Sequence, residues 1–433
     1  MKIVSNNAAI EKNLLVLKNA IEEYGGGTDP DLVIRCEGSS LSVEKYGFAN
    51  PGKPLIALPA ELLLPADKMG MGVKNDEMYS EPEKGALTDI QQKMAQTMLE
   101  IYNLTGKIPA HKTSCCWFLF REAPDLLERL LKARTLIEAQ AKMLSFCKGE
   151  ILQDKTDRLL CDSYIKMRTI GHKQAKEKSD QMVVSPDIMP IVDFINHHSS
   201  GAYFGFVKIG DQSVRKREHL IVHDSRPLAF SSECFAFYNQ LDALDSFIMY
   251  GFADPYSLYV RSIPTEVEIP KTGKIVVNSM LSPMHKGILP KHAAGLRPYI
   301  PSTMSSTPDT LEITNLLIPT NQGSPHALRR ILRLLMTNRV AVKRSLSSNE
   351  IWAAVLAAEE KIINENIAFY RDIITGLDEE IRNADTKRSG LIKTIRSVAD
   401  LQLAKLYKYS FDESHFAADA EDAQEPDKLA AAE

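Results

Sequence analysis

The stretch 183–206, which reads VVSPDIMPIVDFINHHSSGAYFGF, constrains the chain most strongly. An apolar run interrupted by two prolines leads to the adjacent residues Asn196 and His197. The pattern predicts a polar turn over 198–201 and an aromatic-rich strand over 202–207. Amide and imidazole edges at the end of an apolar run can bind a polar ligand. The alternative is a turn that merely ends in a polar tip, and this stretch alone leaves both interpretations open.

A second stretch, 235–255, reads FAFYNQLDALDSFIMYGFADP. It predicts a strand over 234–238 that ends at Tyr238, followed by a short helix and then by Tyr250 and Phe252. Taken alone, Tyr238 could be a structural residue at a strand end. Tyr250 and Phe252 could equally be packed in the core, as is common for aromatic residues with apolar neighbours.

Together the two stretches resemble the SET-domain methyltransferases, in particular the subgroup typified by the Rubisco large-subunit lysine methyltransferase. That subgroup carries a P-x-x-D-x-x-N-H segment, which Pro190, Asp193, Asn196 and His197 match in spacing. It also carries a strand ending in Tyr, a short helix and Tyr-Gly-Phe, which the second stretch matches in order. The resemblance implies an α+β fold, with a SET-domain β core, a helical insert and an all-helical C-terminal domain.

The hydrophobic pattern and the resemblance together divide the chain into regions. We expect an N-terminal helix over 1–27 and a SET domain over 28–265, with a helical insert at about 88–160. A helical region over 270–410 resembles the substrate-binding domain of the subgroup. The acidic, Ala-rich segment 411–433 is typical of a disordered tail.

Helical periodicity supports the two helical regions. In the insert, Ile90, Met94, Met98 and Ile101 recur near the helical period. Near the C-terminus, Ser347 with Glu350 has the spacing of a capping box that opens a long helix. The Ser/Thr/Pro-rich segment 301–308 predicts a loop.

The resemblance implies that the cofactor is S-adenosyl-L-methionine. A Gly-containing turn early in the domain would meet the amino-acid end of the cofactor, and an Arg near the end of a helix, here predicted over 159–171, would help to fix it. The Asn-His pair would hold the adenine and the amino-acid end, while Asp193 is either an anchor in the cofactor site or a residue facing the substrate. The implied cofactor residues are Glu37, Ser39, Arg168, Asp193, Asn196 and His197.

Within the same resemblance, Tyr238 is the catalytic residue, aligning the transferred methyl group with the incoming nitrogen. Tyr250 and Phe252 would line the channel for the substrate side chain. The implied activity is protein-lysine N-methylation, and the partner is a protein carrying the target lysine. Protein-histidine N-methylation is an alternative, since the subgroup includes such members.

A catalytically silent SET-like binding module is the other alternative. Two departures from the family pattern favour it: the first turn has a single glycine, and Asp242-Ala243 replaces the usual Ser-Asn pair. The retained Tyr238, Asn196 and His197 argue against it. Asn239 also follows Tyr238 where the family has Gly or Asp.

Composition excludes several other classes. The 433 residues carry a net charge of −4, so nothing indicates a nucleic-acid or membrane partner. The six cysteines show no C-x-x-C spacing, which argues against a zinc cluster or disulfide framework and favours a reducing, cytoplasmic setting. His197 and His198 are adjacent and would diverge in a strand, so we expect no metal. The N-terminus has the pattern of an amphipathic helix and not of a secretory signal. We expect a monomer.

Overall fold

The computed structural model of the chain describes residues 1–47, 50, 52–151, 155–175, 182–209, 217–224, 232–280, 296, 299–319 and 326–410. These residues mix helices and strands along the whole chain, as the α+β class requires. The predicted tail, 411–433, lies outside the described residues. Within them, no helix combines the length and the apolar character that a membrane span requires.

The helices of the described residues are, in chain order, α1 (Ala8–Glu23), α2 (Asp89–Leu104), α3 (Lys107–Ser114), α4 (Cys116–Leu119), α5 (Pro124–Leu131), α6 (Glu138–Cys147), α7 (Thr156–Lys166), α8 (Ala243–Tyr250), α9 (Ala327–Thr337), α10 (Val340–Ser345), α11 (Ser348–Glu380) and α12 (Thr386–Ser410).

The strands of the described residues are, in chain order, β1 (Lys2–Ser5), β2 (Gly27–Thr28), β3 (Leu32–Glu37), β4 (Ser40–Lys45), β5 (Pro54–Pro59), β6 (Leu64–Pro65), β7 (Met71–Lys74), β8 (Glu77–Ser80), β9 (Thr169–Ala175), β10 (Met182–Ile188), β11 (Asn196–Ala202), β12 (Phe204–Ile209), β13 (Arg217–His223), β14 (Phe235–Ala236), β15 (Tyr259–Arg261), β16 (Thr265–Ile269), β17 (Gly273–Asn278), β18 (Ser302–Ser306), β19 (Thr310–Thr314) and β20 (Leu317–Pro319).

The chain divides into two compact units. The first comprises 1–115 with 151–240, and the second comprises 116–150 with 241–433. Of the helices in the stretch 88–160, α2, α3 and α7 belong to the first unit, and α4 to α6 belong to the second. The predicted domain ranges stay predictions.

The first unit is built from small sheets. A four-stranded sheet has the order β12-β13-β5-β2, and three-stranded sheets have the orders β1-β3-β4 and β6-β10-β9. The short strand β14 pairs with β11 in parallel, which places Asn196 opposite Phe235 and His197 opposite Ala236. Asn196 and His197, which together form the Asn-His tip, are therefore held against the segment that leads to Tyr238.

Helix α1 closes the core of the first unit. Its residues Ile10, Leu14, Leu17 and Ile21 recur at helical spacing and are all buried. The helix packs against α2. Asn7 sets its start, because its side-chain oxygen accepts a hydrogen bond from the backbone N–H of Ala9 at 3.0 Å.

The second unit combines a long helical pair with strands. Helices α11 and α12 pack against each other, and α9 packs against α11. Ser347 and Glu350 form the predicted capping box at the start of α11, with the Glu350 N–H donating to Ser347 Oγ at 3.3 Å. The strands form a four-stranded sheet of order β16-β17-β19-β18 and the pair β15-β20.

Three predictions about the N-terminal segment and the region after residue 270 are wrong. The region 270–410 is not all-helical, because β17 to β20 lie within it, and the predicted loop 301–308 contains β18. In β16 and β17, buried positions alternate with more exposed ones, which is the period of a half-buried strand and not of a helix. The segment 1–27 is not one helix either, since β1 precedes α1 and pairs with β3.

Two local predictions near the site are also wrong. The helix expected over 159–171 ends at Lys166, and β9 begins at Thr169 because that segment pairs with β10. The expected turn 198–201 lies within β11, as a bulge between His197 and Ala202. Gly201 suits this bulge, because a Cβ there would lie 2.6 Å from the carbonyl carbon of Ala236.

Candidate functional site

The site in the first unit is organised around the Asn-His tip and Tyr238. The phenol of Tyr238 donates a hydrogen bond to the carbonyl oxygen of Ile195 at 2.5 Å, and its backbone N–H donates to Nδ1 of His197 at 3.2 Å. The two rings lie 5.2 Å apart. The strand expected over 234–238 covers only Phe235–Ala236, so Tyr238 lies beyond its end. His197 therefore holds the backbone of Tyr238, and Ile195 holds its side chain.

A short 3₁₀ turn, Val192–Phe194, contains Asp193, another residue of the P-x-x-D-x-x-N-H segment. The residue before this turn, Ile191, is buried and has a φ of 66°. A β-branched residue in the left-handed region is a backbone outlier that costs about 1–3 kcal/mol. The surrounding core therefore holds the turn in place against local strain.

Asp193 and Arg168 form the charged centre of the site. Oδ2 of Asp193 accepts hydrogen bonds from Nη1 of Arg168 and from the phenol of Tyr102, each at 2.8 Å. Burial raises the pKa of Asp193, while Arg168 and Tyr102 act in the opposite direction. Burial lowers the pKa of Arg168, but Asp193 together with Tyr164, Tyr102 and Tyr238 outweighs it and gives a net rise. Arg168, Asp193 and Tyr238 thus belong to one electrostatic group.

Aromatic rings surround the guanidinium of Arg168. It lies 4.4 Å from the ring centre of Tyr164 and 5.6 Å from that of Tyr102. Cation–π contacts of this kind stabilise a cation and fix the plane of the guanidinium. Among the described residues, Nε of Arg168 is buried and has no hydrogen-bond partner. The site therefore holds a strong donor whose hydrogen bond can be made by a ligand.

His111 also packs against this aromatic group. Its Nε2 is 2.8 Å from Oγ of Ser163, and its ring packs edge-on against Tyr164 at 5.4 Å. Burial, and secondarily the charge of Arg168, lower the pKa of His111 to about 4. The imidazole is therefore neutral at pH 7, so it adds no charge to the site.

The hairpin formed by β3 and β4 carries the two remaining predicted cofactor residues, Glu37 at the end of β3 and Ser39 in the turn. Ser39 is exposed, and its carbonyl oxygen accepts a hydrogen bond from Nζ of Lys107 at 3.1 Å. Glu37 is exposed and pairs with Arg35 at 3.5 Å. Lys107 interacts electrostatically with Arg168 and Asp193. The turn is linked to the charged centre through Lys107, whereas Glu37 has no such link among the described contacts.

The side chain of Asn196 is exposed and held at one end. Its Nδ2 donates to Oε1 of Glu233 at 2.7 Å, across the start of the β11–β14 pair. Because Glu233 accepts from the amide nitrogen, the amide oxygen of Asn196 has a fixed direction. The contact with Glu233 therefore orients the side chain for which the resemblance implies a role in cofactor binding.

Tyr250 and Phe252 belong to the second unit. Tyr250 ends α8, Gly251 follows with a φ of 79°, and the rings of Tyr250 and Phe252 lie 6.0 Å apart. Burial raises the pKa of Tyr250 to about 12, so its phenol is protonated at neutral pH. Asp242, one of the departures from the family pattern, caps α8 by accepting from the backbone N–H of Asp245 at 2.8 Å.

Sequence reasoning missed several residues of the site, namely Tyr102, Lys107, His111, Tyr164 and Glu233. A tyrosine on the apolar face of a helix usually finds a hydrogen-bond partner, and this signal could have identified Tyr102 on α2. No local pattern distinguishes Lys107 or Glu233 from ordinary surface charges, because their roles depend on contacts between distant segments. Within the described residues, no group of three or more His, Cys, Asp or Glu is placed to hold a metal ion.

Comparisons with known proteins give one kind of match. No protein-family model matches the chain, and no curated protein matches it in sequence. Among solved structures, the SET domain of LSMT bound to lysine and AdoHcy is 14% identical, with a TM-score of 0.40, covering 95% of this chain and 92% of that one. Rubisco LSMT bound to AdoMet is 13% identical, with a TM-score of 0.37, covering 96% and 94%. Both matches extend over nearly the full length of this chain, at low sequence identity.

Proposed function

We propose that this chain is an S-adenosylmethionine-dependent protein N-methyltransferase built on a SET domain, and that its target is lysine. The observation that carries the proposal is that two hydrogen bonds hold Tyr238, one from its phenol to the carbonyl oxygen of Ile195 and one from its backbone N–H to His197. The motif residues come from distant parts of the sequence, yet Arg168 and Asp193 join the same group. A plain structural turn would not need this convergence.

The residues fit a cofactor with an amino-acid end. Such an end carries a carboxylate and an ammonium group, and the buried Nε of Arg168 is a donor suited to a carboxylate. Asn196 and His197 would hold the remainder of the cofactor, and Ser39 would contribute from the turn between β3 and β4. Glu37 and Asp193 are the acidic candidates for the ammonium group. When bound, the cofactor supplies a methyl group on a sulfonium, which an amine can displace in line.

The proposed role of Tyr238 is alignment. Its hydroxyl hydrogen is used in the bond to Ile195, so the phenol oxygen can act towards a ligand only as an acceptor. Contacts of a C–H group with such an oxygen are worth only about 0.5–1 kcal/mol each. Such contacts set the direction of the transferred methyl group. Orientation of the reacting atoms supplies a large part of the rate acceleration.

The target amine must lose its proton before it can attack, because the pKa of lysine is about 10.4 in water. An apolar channel disfavours the ammonium form through desolvation. We assign the channel to Tyr250 and Phe252, whose aromatic faces tolerate both the amine and its methylated products. The neutral phenol of Tyr250 suits this role, since it brings no negative charge that would stabilise the ammonium form.

Two measurements test the proposal. Calorimetry should detect binding of S-adenosylmethionine to the purified protein, whereas a silent binding module would give no heat. Incubation with the methyl-labelled cofactor and a cell extract should label a protein, and amino-acid analysis should then find methyl-lysine. Label in methyl-histidine would replace the proposed target by the alternative one. Absence of both cofactor binding and label would refute the activity.

A pair of variants tests the assignment of the tyrosines. Tyr238→Phe removes one oxygen, so folding and cofactor binding should be retained. Turnover should fall severely because alignment is lost. Tyr250→Phe should act less strongly, and Tyr79→Phe, at an exposed position on β8, serves as the control. If Tyr250→Phe abolishes turnover and Tyr238→Phe does not, the two roles are reversed.

A further inference from the structure

We propose that Lys107 is a second cationic ligand for the carboxylate at the amino-acid end of the cofactor. The inference rests on the proposed function and extends it to a residue outside the motif. Lys107 is the first residue of α3, and its Nζ donates to the carbonyl oxygen of Ser39 at 3.1 Å. One helix thereby reaches the turn at which the resemblance places the amino-acid end.

The charges around Lys107 do not balance. Lys107 and Arg168 are both cations, and the burial of Lys107 together with the charge of Arg168 lowers the pKa of Lys107. Asp193 is the carboxylate that interacts with both, and its Oδ2 already accepts from Arg168 and Tyr102. Within the described part of the chain, Lys107 forms no ion pair with a carboxylate. Two cations thus share one carboxylate, which leaves an excess of positive charge.

The start of α3 adds to this excess. The N-cap is Gly106, which offers no side-chain hydrogen bond to the helix, and the first turn carries no acidic residue. The first backbone N–H groups of a helix carry partial positive charge and favour an anion. By contrast, Lys112, near the end of the same helix, pairs with Asp76. The positive charge at the start of α3 therefore faces no acidic side chain of its own helix.

Donor geometry indicates which ligand group would compensate this charge. A lysine ammonium has three donors, and the described contact to Ser39 uses one of them. Arg168, which interacts electrostatically with Lys107, offers its buried Nε as a further donor. A carboxylate has two oxygens and can accept from two cationic donors at once. The ammonium and adenine groups of the cofactor cannot take this place, since the first would be repelled and the second is uncharged.

The test compares two ligands that differ only in the carboxylate, S-adenosylmethionine and decarboxylated S-adenosylmethionine. Calorimetry would measure both dissociation constants for the full-length protein and for Lys107→Met. The variant should bind S-adenosylmethionine about 10- to 100-fold more weakly, as expected for loss of a charge-assisted hydrogen bond. Its affinity for the decarboxylated ligand should stay within about twofold, since no partner for Lys107 remains in that ligand.

Two further variants control the experiment. Lys112→Met removes a lysine from the same helix and should leave both affinities unchanged. Lys107→Gln keeps an N–H for the Ser39 carbonyl but removes the charge, so it should reproduce the selective loss even if Lys107→Met folds poorly. If Lys107→Met weakens the binding of both ligands equally, or of neither, then Lys107 only supports the turn and the inference is overturned. If the unmodified protein binds neither ligand, the proposed function fails first, and the inference fails with it.

Discussion

Replacing Arg134 by methionine should destabilise the second unit strongly. The side chain of Arg134 is fully buried and lies between two carboxylates that are equally buried. Nη2 is 2.8 Å from Oδ2 of Asp242, and Nε is 2.8 Å from Oδ1 of Asp245. Methionine fills much of the same volume but carries no charge. The substitution therefore leaves buried carboxylates without their main cation.

The size of the effect follows from what remains after the substitution. Removing one partner of a buried ion pair costs about 3–5 kcal/mol, because the other charge is left uncompensated. Arg261 still pairs with Asp245 at 2.7 Å, and Gln402 still donates to Asp242 at 2.6 Å. We therefore expect the cost of one broken pair and not of two. For a unit of this size, a loss of about 3–5 kcal/mol in the free energy of unfolding corresponds to a fall in Tm of about 6–20 °C.

Denaturant unfolding at pH 7, followed by circular dichroism, measures the change in the free energy of unfolding. The matched control is Arg396→Met on α12, since Arg396 is partly exposed and pairs with Asp378 and Asp400. Exposed pairs contribute only about 0–1 kcal/mol. If Arg134→Met costs no more than the control, burial of the charge cluster does not contribute to stability as argued.

The pH dependence provides an independent check. Burial raises the pKa of Asp242, but Arg134, Arg261 and backbone hydrogen bonds together outweigh it, so the pKa of Asp242 in the folded protein lies below its ordinary value. A depressed carboxylate pKa stabilises the fold above the unfolded value, and this contribution is lost as the pH falls towards the folded value. The difference between the unmodified protein and Arg134→Met should be largest near pH 7 and should narrow as the pH falls, because protonating Asp242 removes both the ion-pair stabilisation of the unmodified protein and the uncompensated charge of the variant. A difference that grows on acidification would refute the reasoning.

Three further outcomes are expected. Asn196→Ala should weaken cofactor binding in calorimetry without changing the Tm of the free protein, because the side chain is exposed; unchanged affinity would contradict its assignment. Ser347→Ala should lower the free energy of unfolding by about 1 kcal/mol through loss of the cap on α11, and an unchanged value would exclude a role for that cap. Gly273→Ala should cost about 2–5 kcal/mol, because φ is 100° there and a Cβ would lie 1.8 Å from the carbonyl oxygen of Asp309. Gly376→Ala, in the interior of α11 with no atom near the added Cβ, should instead stabilise by about 0.5–1 kcal/mol. Equal effects at the two glycines would contradict this account.

Elements with strong local signals were predictable from the sequence. The capping box at Ser347 and the helical period of α2 are determined by neighbouring residues, and both are where the sequence placed them. The predictions for 1–5 and 169–171 were wrong because tertiary pairing decided the outcome. β1 pairs with β3, and β9 pairs with β10, so these segments are strands although their own residues do not require it.

The departures from the family pattern show how a single sequence can mislead about function. Asp242 stands where the family has part of a Ser-Asn pair, and this favoured a silent protein. In the structure, Asp242 caps α8 and also binds Arg134, which comes from a segment far away in the sequence. The substitution therefore has a structural explanation that does not involve loss of activity. No residue near Asp242 in the sequence indicates a contact with Arg134. The charge compensation could therefore not be predicted before the fold was known. The same is true of the role proposed for Lys107, which depends on Ser39 and Arg168 from distant segments of the chain.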